Sequence, residues 1–167
     1  ETAHATSAFS TEFLARTAYA GCSGDTSLHL LNHVIRERRE ECSTTVDLFS
    51  FDLVDGEAKF YKSGAAPSYV KRGNSIFRVR SQTVPLGLLR RVDAERIRVE
   101  VSFDDYVILL SDGISQSPED APWLLELLNK PAKRDLKAYA DTILATAVKY
   151  NARRDDMSVI VLHILAA

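Results

Sequence analysis

The sequence is poor in the features that mark most specialised classes. Its 167 residues hold two cysteines, one tryptophan, one methionine, five prolines and seven glycines. Cys22 and Cys42 stand apart with no CxxC pair, so neither a disulfide scaffold nor a structural zinc site is expected, and both read as reduced thiols in a cytosolic setting. No run of eighteen apolar residues occurs, which leaves no segment with the character of a membrane-spanning helix. The opening residues ETAHATSAFSTEF lack a basic stretch followed by an apolar one, so no signal peptide is expected. Basic surplus is missing too. Lys and Arg number 21 against 23 Asp and Glu, a formal net charge of -2, which argues against a dedicated nucleic-acid binder. There is no P-loop and no GxGxxG, the segment GCSGD is not a GxSxG elbow, and no HExxH is present. Kinase, dinucleotide-binding and serine-hydrolase chemistries therefore have little support.

What is present suits a globular domain. Apolar residues make up 46% and charged residues 26%, enough for one domain with a real core. Residues 2 to 20 read as a helix in which Phe9, Phe13, Thr17 and Ala20 share a face. Gly21 ends it, and Ser23 or Asp25 can cap a second helix running to about Arg38, with Leu28, Leu31 and Ile35 as its apolar face. The period then changes to two. Thr45 to Leu53 alternates, with Phe49, Phe51 and Leu53 pointing one way. Val54-Asp55-Gly56 forms a turn, and Glu57 to Ser63 returns as a partner strand. Short strands are expected at Ser68 to Lys71, Ser75 to Arg80 and 95 to 101, with a loop at Thr83 to Leu89. Tyr106 to Leu110 reads as a buried central strand. A helix or loop covers Pro118 to Lys130, an amphipathic helix spans 134 to 150, and Asn151 to Arg154 turns the chain into a last strand, Met157 to Leu165. Two helices, a run of antiparallel strands, more helices and one closing strand indicate a layered α+β domain.

Few residues could carry chemistry. Asp112 terminates the apolar run VILLSDG, and Asp155 precedes MSVIVLHI. Carboxylates at strand ends can share a cleft, and hard divalent cations such as Mg²⁺ and Mn²⁺ take such oxygen ligands. Gly113 permits a sharp turn after Asp112. A plain turn at SDG and a strand-edge cap at DD is the competing reading. Asp156 could substitute for Asp155, since the sequence does not say which faces inward. Asp47 interrupts TTVDLFSF and needs a hydrogen-bond partner or a place near the sheet rim if it is structural. His29 and His33 have a metal-pair spacing on a helix but fit a helix surface as well. Lys71, Arg72, Arg78, Arg80, Arg90 and Arg91 could meet phosphate or an acidic partner, or be solvated faces.

Taken in order, several segments carry a resemblance. They are STTVDLFSFDL followed by GEAKFYKSG, GAAPSYVKRG at 64 to 73, VPLG at 84 to 87, DDYVILLSDGI at 104 to 114 and RRDDMSVIVLHI at 153 to 164, with Asn32 in LLNHVI of the helix before them. Together the chain resembles the SpoIIE-type phosphatase domains, a bacterial branch of the PP2C-like, metal-dependent serine/threonine phosphatases. The resemblance covers essentially the whole chain. It implies an αββα sandwich, two antiparallel sheets between helical layers, with two Mn²⁺ or Mg²⁺ ions held at the centre by aspartates and waters. Asp112 matches the metal-binding aspartate of the family's SDG motif, and Asp155 that of its terminal DDM motif. Gly113 matches the SDG glycine. Gly64, Pro67 and Ser68 match a GxxPS turn of structural character, and Pro85 and Gly87 a P-x-G loop near the site.

The family's first metal motif, an aspartate followed by Gly-Met-Gly, has no counterpart here. Residues 1–167 are accordingly expected to form most of a single PP2C-like domain, its C-terminal portion, with an incomplete metal site and weak or absent activity. Exposed sheet edges and self-association are expected with it. The resemblance further implies hydrolysis of phosphoserine or phosphothreonine on a protein, a phosphorylated STAS-type anti-sigma-factor antagonist in sporulation control. The chain would then be a cytoplasmic domain whose full-length relatives reach the membrane through regions absent here. The alternative is a non-catalytic regulatory module that binds a phosphoprotein or a sigma-regulator partner.

Overall fold

The computed structural model describes residues 2–38, 42–92, 94–115, 121–150 and 155–165. The predicted turn at Asn151 to Arg154 and the start of the helix or loop at Pro118 lie outside the described residues. In chain order the elements are α1 (Thr2–Tyr19), α2 (Gly24–Glu37), β1 (Val46–Phe51), β2 (Ala58–Ser63), β3 (Ser68–Arg72), β4 (Ser75–Val79), β5 (Glu95–Val99), β6 (Tyr106–Leu110), α3 (Pro122–Leu128), α4 (Leu136–Tyr150) and β7 (Val159–His163). The strands form two antiparallel sheets, one ordered β1-β2-β5 and the other β4-β3-β6-β7. This is the mixed α+β architecture expected, with two antiparallel sheets and helices flanking them. The chain divides into two compact units, Glu1–Ala65 with Ser81–Val99, and Ala66–Arg80 with Glu100–Ala167.

In the first unit α2 supplies the core. Ser23 caps it, its hydroxyl accepting from the Thr26 amide at 3.2 Å. Leu28, Leu31 and Ile35 pack on Val46, Tyr61 and Leu86, and Phe9 and Phe13 of α1 close over them. Phe9, Phe13 and Thr17 are partly buried on one face of α1, as expected. Thr6 and Ser10 are its most buried described side chains, and Ser10 stays satisfied by donating back to the Thr6 carbonyl at 2.7 Å. Ala20 is exposed beyond the helix end. Leu53 does not continue the apolar face of β1. It is 89% exposed, because the strand stops at Phe51 and the Asp52 carboxylate accepts the Val54 and Asp55 amides at 2.8 and 3.1 Å, folding the chain into its turn.

Asp47 finds the partner its position demands. It stands directly across the β1–β2 ladder from Lys62, and their side chains form an ion pair at 2.7 Å with Lys62 fully buried. Burial pushes the Lys62 ammonium below the ordinary lysine value, against the pull of Asp47.

The second unit is built on β6, whose five residues are all buried. Tyr106, Ile108 and Leu110 meet Leu124 and Leu128 of α3 and Tyr139, Ile143 and Ala147 of α4. Two charged anchors hold its rim. Asp105 accepts both Nε and Nη2 of Arg72, at 3.0 and 2.8 Å, and the Ser102 amide at 2.7 Å. Buried Lys71 donates to the carbonyls of Gly73 and Leu128, at 2.7 and 2.8 Å, closing the C-terminus of α3.

Removing Asp47 leaves the buried Lys62 charge without its carboxylate. Asp47→Ala is expected to cost about 3 kcal/mol or more in denaturant unfolding, whereas the double variant Asp47→Leu/Lys62→Met, which removes both charges, costs less than either single change. The folded state binds the Lys62 proton less well than the unfolded chain does. Wild-type stability relative to Lys62→Met should therefore rise as pH climbs towards 10.5, the ordinary lysine value.

Candidate metal centre

The expected carboxylates come from one ladder. β6 and β7 pair antiparallel with Leu110 opposite Val159, so the chain leaving β6 runs alongside the chain entering β7. Asp112 follows the first strand and Asp155-Asp156 precedes the second, and all three side chains are exposed.

The two segments are locked together by Ser111. Its amide donates to the Ser158 carbonyl at 3.0 Å, and its hydroxyl accepts the Ser158 amide at 2.9 Å and donates to the Asp156 carbonyl at 3.2 Å. The Ile114 amide bonds back to the Ser111 carbonyl at 3.0 Å, which turns the chain directly after Asp112. Gly113 is where the two segments touch. A Cβ built there would collide with the Asp156 carbonyl oxygen and lie 3.4 Å from the Asp155 Cβ, so the absence of a side chain is what permits the approach. Asp155 is oriented as well, its Oδ1 accepting the Asp156 amide at 2.8 Å.

The other expected site residues are spread over both units. In the first, Gly64 has φ +63° and abuts the Pro85 ring so closely that a Cβ would strike its ring atoms at 2.7 Å. Gly87 donates its amide to Asn32 Oδ1 at 2.8 Å, and Asn32 Nδ2 donates to the Leu89 carbonyl at 3.2 Å, so one α2 side chain holds the loop around Pro85 and Gly87. In the second unit Pro67 and Ser68 are buried at the start of β3. His29 and His33 are exposed on α2. His163 lies at the far end of β7 from Asp155, stacked on Tyr106 at 4.1 Å with its Nε2 at 2.8 Å from Asp104 Oδ1.

Ser111, Ser158 and Lys62 were not among the expected site residues. Each gains its role only through cross-strand register, and a serine beside an SDG turn carries no spacing signal of its own.

The donor chemistry at the paired ends of β6 and β7 suits a hard cation, with carboxylates and carbonyls and no thiolate or imidazole. The set is partial. Among the described residues no group of three or more His, Cys, Asp or Glu side chains is arranged to hold a metal ion.

The two antiparallel sheets flanked by helices match the PP2C-like phosphatase fold. The chain belongs to the Stage II sporulation protein E (SpoIIE) family, whose model matches residues 2–165. It is 27% identical to the Stage II sporulation protein E of Bacillus subtilis (strain 168) over 169 aligned residues, covering 97% of this chain and 20% of that protein. It is 25% identical to the Priestia megaterium protein of the same name, covering 96% of this chain and 29% of the relative. A solved structure of the PP2C phosphatase domain and a fragment of the regulatory domain of the cell fate determinant SpoIIE from Bacillus subtilis superposes with a TM-score of 0.85 at 26% identity, over 98% of this chain and 50% of that one. The chain thus spans a fifth to under a third of the length of the two named relatives.

Gly113→Ala should force the two segments apart and cost about 1–3 kcal/mol by overpacking. Ser111→Ala removes two hydrogen bonds and should cost about 1–2 kcal/mol. In both variants amide chemical shifts should move at 155–158 while those of the first unit stay in place, measured by NMR alongside denaturant unfolding.

Proposed function

We propose that this chain is the C-terminal portion of a single phosphatase domain, one that hydrolyses phosphoserine or phosphothreonine on a protein with the help of Mn²⁺ or Mg²⁺. The observation that carries this reading is the locked juxtaposition of SDG and DDM at the paired ends of β6 and β7, in a chain of the SpoIIE family. Asp112 and Asp155 would hold the cation. Asp156 contributes through its backbone, since Ser111 holds its carbonyl and its amide orients Asp155. When bound, such cations lower the pKa of a coordinated water and stabilise the charge of in-line displacement at phosphorus. The residues of this chain keep the carboxylates in place: Ser111 fixes the spacing of the two segments and Gly113 leaves room for their contact.

The substrate that family membership favours is a phosphorylated STAS-type anti-sigma-factor antagonist in sporulation control. The longer relatives suggest a cytoplasmic domain of a membrane-attached protein, the attachment lying outside these residues. Within the described residues no helix is long and apolar enough to cross a membrane.

A second reading has its own observation. With no group of three metal-ligating side chains among the described residues, the chain could act as a regulatory module that binds a phosphoprotein or sigma-regulator partner without turnover.

The two readings separate in one assay. The first expects weak Mn²⁺ binding by calorimetry and slow, Mn²⁺-dependent release of phosphate from a phosphoserine protein. Asp112→Asn and Asp155→Asn should each weaken Mn²⁺ binding at least about tenfold, the lower end of what outer-shell changes cost in metal sites. Asp156→Asn should weaken it less. Rapid Mn²⁺-dependent turnover by the 167-residue chain would refute the incomplete site, and unaltered Mn²⁺ binding in the Asp112 and Asp155 variants would refute the assignment.

A further inference from the structure

The segment 155–158 brings Asp155 beside the end of β6, and only one of its side chains enters the core. Asp155, Asp156 and Ser158 are exposed, while Met157 is partly buried. Met157 packs with Val159 and Val161, every second residue, against the core formed by β3, β6, α3 and α4. That core is apolar, and all of its elements belong to this chain.

The neighbours of Met157 on both sides are tied to Ser111. The Asp156 carbonyl accepts from the Ser111 hydroxyl at 3.2 Å, and the Ser158 amide donates to that hydroxyl at 2.9 Å. A displaced Met157 therefore pulls on both bonds at once. The Asp155 carboxylate is held to the same stretch, its Oδ1 accepting the Asp156 amide at 2.8 Å.

Met157 is also the sole methionine of the 167 residues. A leucine would fill nearly the same space, and the thioether adds one property, oxidation by a peroxide. Partial burial leaves part of the side chain open to so small an oxidant.

We infer that Met157 is an oxidation-sensitive positioning residue: as a thioether it seats the segment that carries Asp155, and as a sulfoxide it releases that segment. The oxidant is hydrogen peroxide. A sulfur lone pair attacks one peroxide oxygen, and the S–O bond forms as the O–O bond breaks. The proton of the transferred oxygen passes to the departing hydroxide, which leaves as water. Sulfur is oxidised by the electron pair that the peroxide takes up. The product carries a polar oxygen that an apolar core leaves unpaired. The side chain then turns outward, and the Ser111 bonds to residues 156 and 158 loosen. This displacement needs no metal. Its consequence for a bound cation rests on the proposal that Asp155 is a ligand.

The 167-residue chain and its Met157→Leu variant, treated alike with hydrogen peroxide, test the inference. Both keep the free thiols of Cys22 and Cys42, so thiol oxidation affects them equally. Mass spectrometry should find one added oxygen at Met157 of the wild type. Amide signals of residues 111–113 and 155–158 should then shift in the metal-free protein. Its Mn²⁺ affinity should fall about tenfold, the lower end of the cost of disturbing groups that orient metal ligands. Met157→Leu, close in volume, should bind Mn²⁺ as untreated wild type does and show neither change. Met157→Gln, polar and of similar length, should reproduce both changes without oxidant, with circular dichroism showing it folded. A chain oxidised at Met157 whose amides at 111–113 and 155–158 stay in place would overturn the inference. So would a Met157 that peroxide leaves untouched, or equal changes in treated Met157→Leu. If the untreated chain binds no Mn²⁺, the cation assignment fails, and the metal-free amide shifts still decide the role of Met157.

Discussion

The pairing of β6 with β7 is the constraint on which the rest depends. It is one antiparallel ladder between an entirely buried strand and one that is half exposed. Its register places the segment after one strand beside the segment before the other. Ser111 then fixes the spacing by bonding to both Ser158 and Asp156, and Gly113 allows a contact that a side chain would forbid. Helices α3 and α4 pack on Tyr106, Ile108 and Leu110, so Asp112 follows a strand that is buried along its whole length, and Ser111 ties the segment carrying Asp155 to it. The arrangement follows a general rule of site construction, in which exposed functional groups are precise because the elements beneath them are rigid.

The first unit solves a different problem, placing charge inside a sheet. Asp47 and Lys62 are cross-strand partners in the β1–β2 ladder, and the lysine has no exposed side-chain surface. A buried pair of this kind adds little net stability but makes alternative registers costly, since a one-residue slip would separate the charges and bury at least one of them alone. Asn32 plays a related part between α2 and the loop around Pro85 and Gly87, satisfying one donor and one acceptor with a single side chain.

Much of this was legible in the sequence. The helices, the strands and the Asp-Gly hairpin follow from periodicity and turn chemistry, and their bounds agree with the structure to within a few residues. Asp112 and Asp155 announced themselves as carboxylates closing apolar strands. What escaped has a common physical cause: it depends on register or rotation between elements. The Lys62 partner of Asp47 lies on another strand. Thr6 and Ser10 share the buried face of α1 with Phe9 and Phe13, polar residues that an apolar count passes over. Leu53 was read into β1 because alternation continues through it, while the Asp52 carboxylate had already turned the chain. The role of Ser111 exists only once β6 and β7 lie side by side.

The proposed activity depends on whether the paired strand ends of β6 and β7 are where a divalent cation settles. Paramagnetic broadening answers this without requiring turnover. Substoichiometric Mn²⁺ added to ¹⁵N-labelled protein should bleach the amides of residues 111–113 and 155–158 first and leave the acidic turn at Asp52 to Glu57 sharp. Preferential broadening at that turn, or equal broadening along the exposed carboxylates, would contradict the assignment of the site.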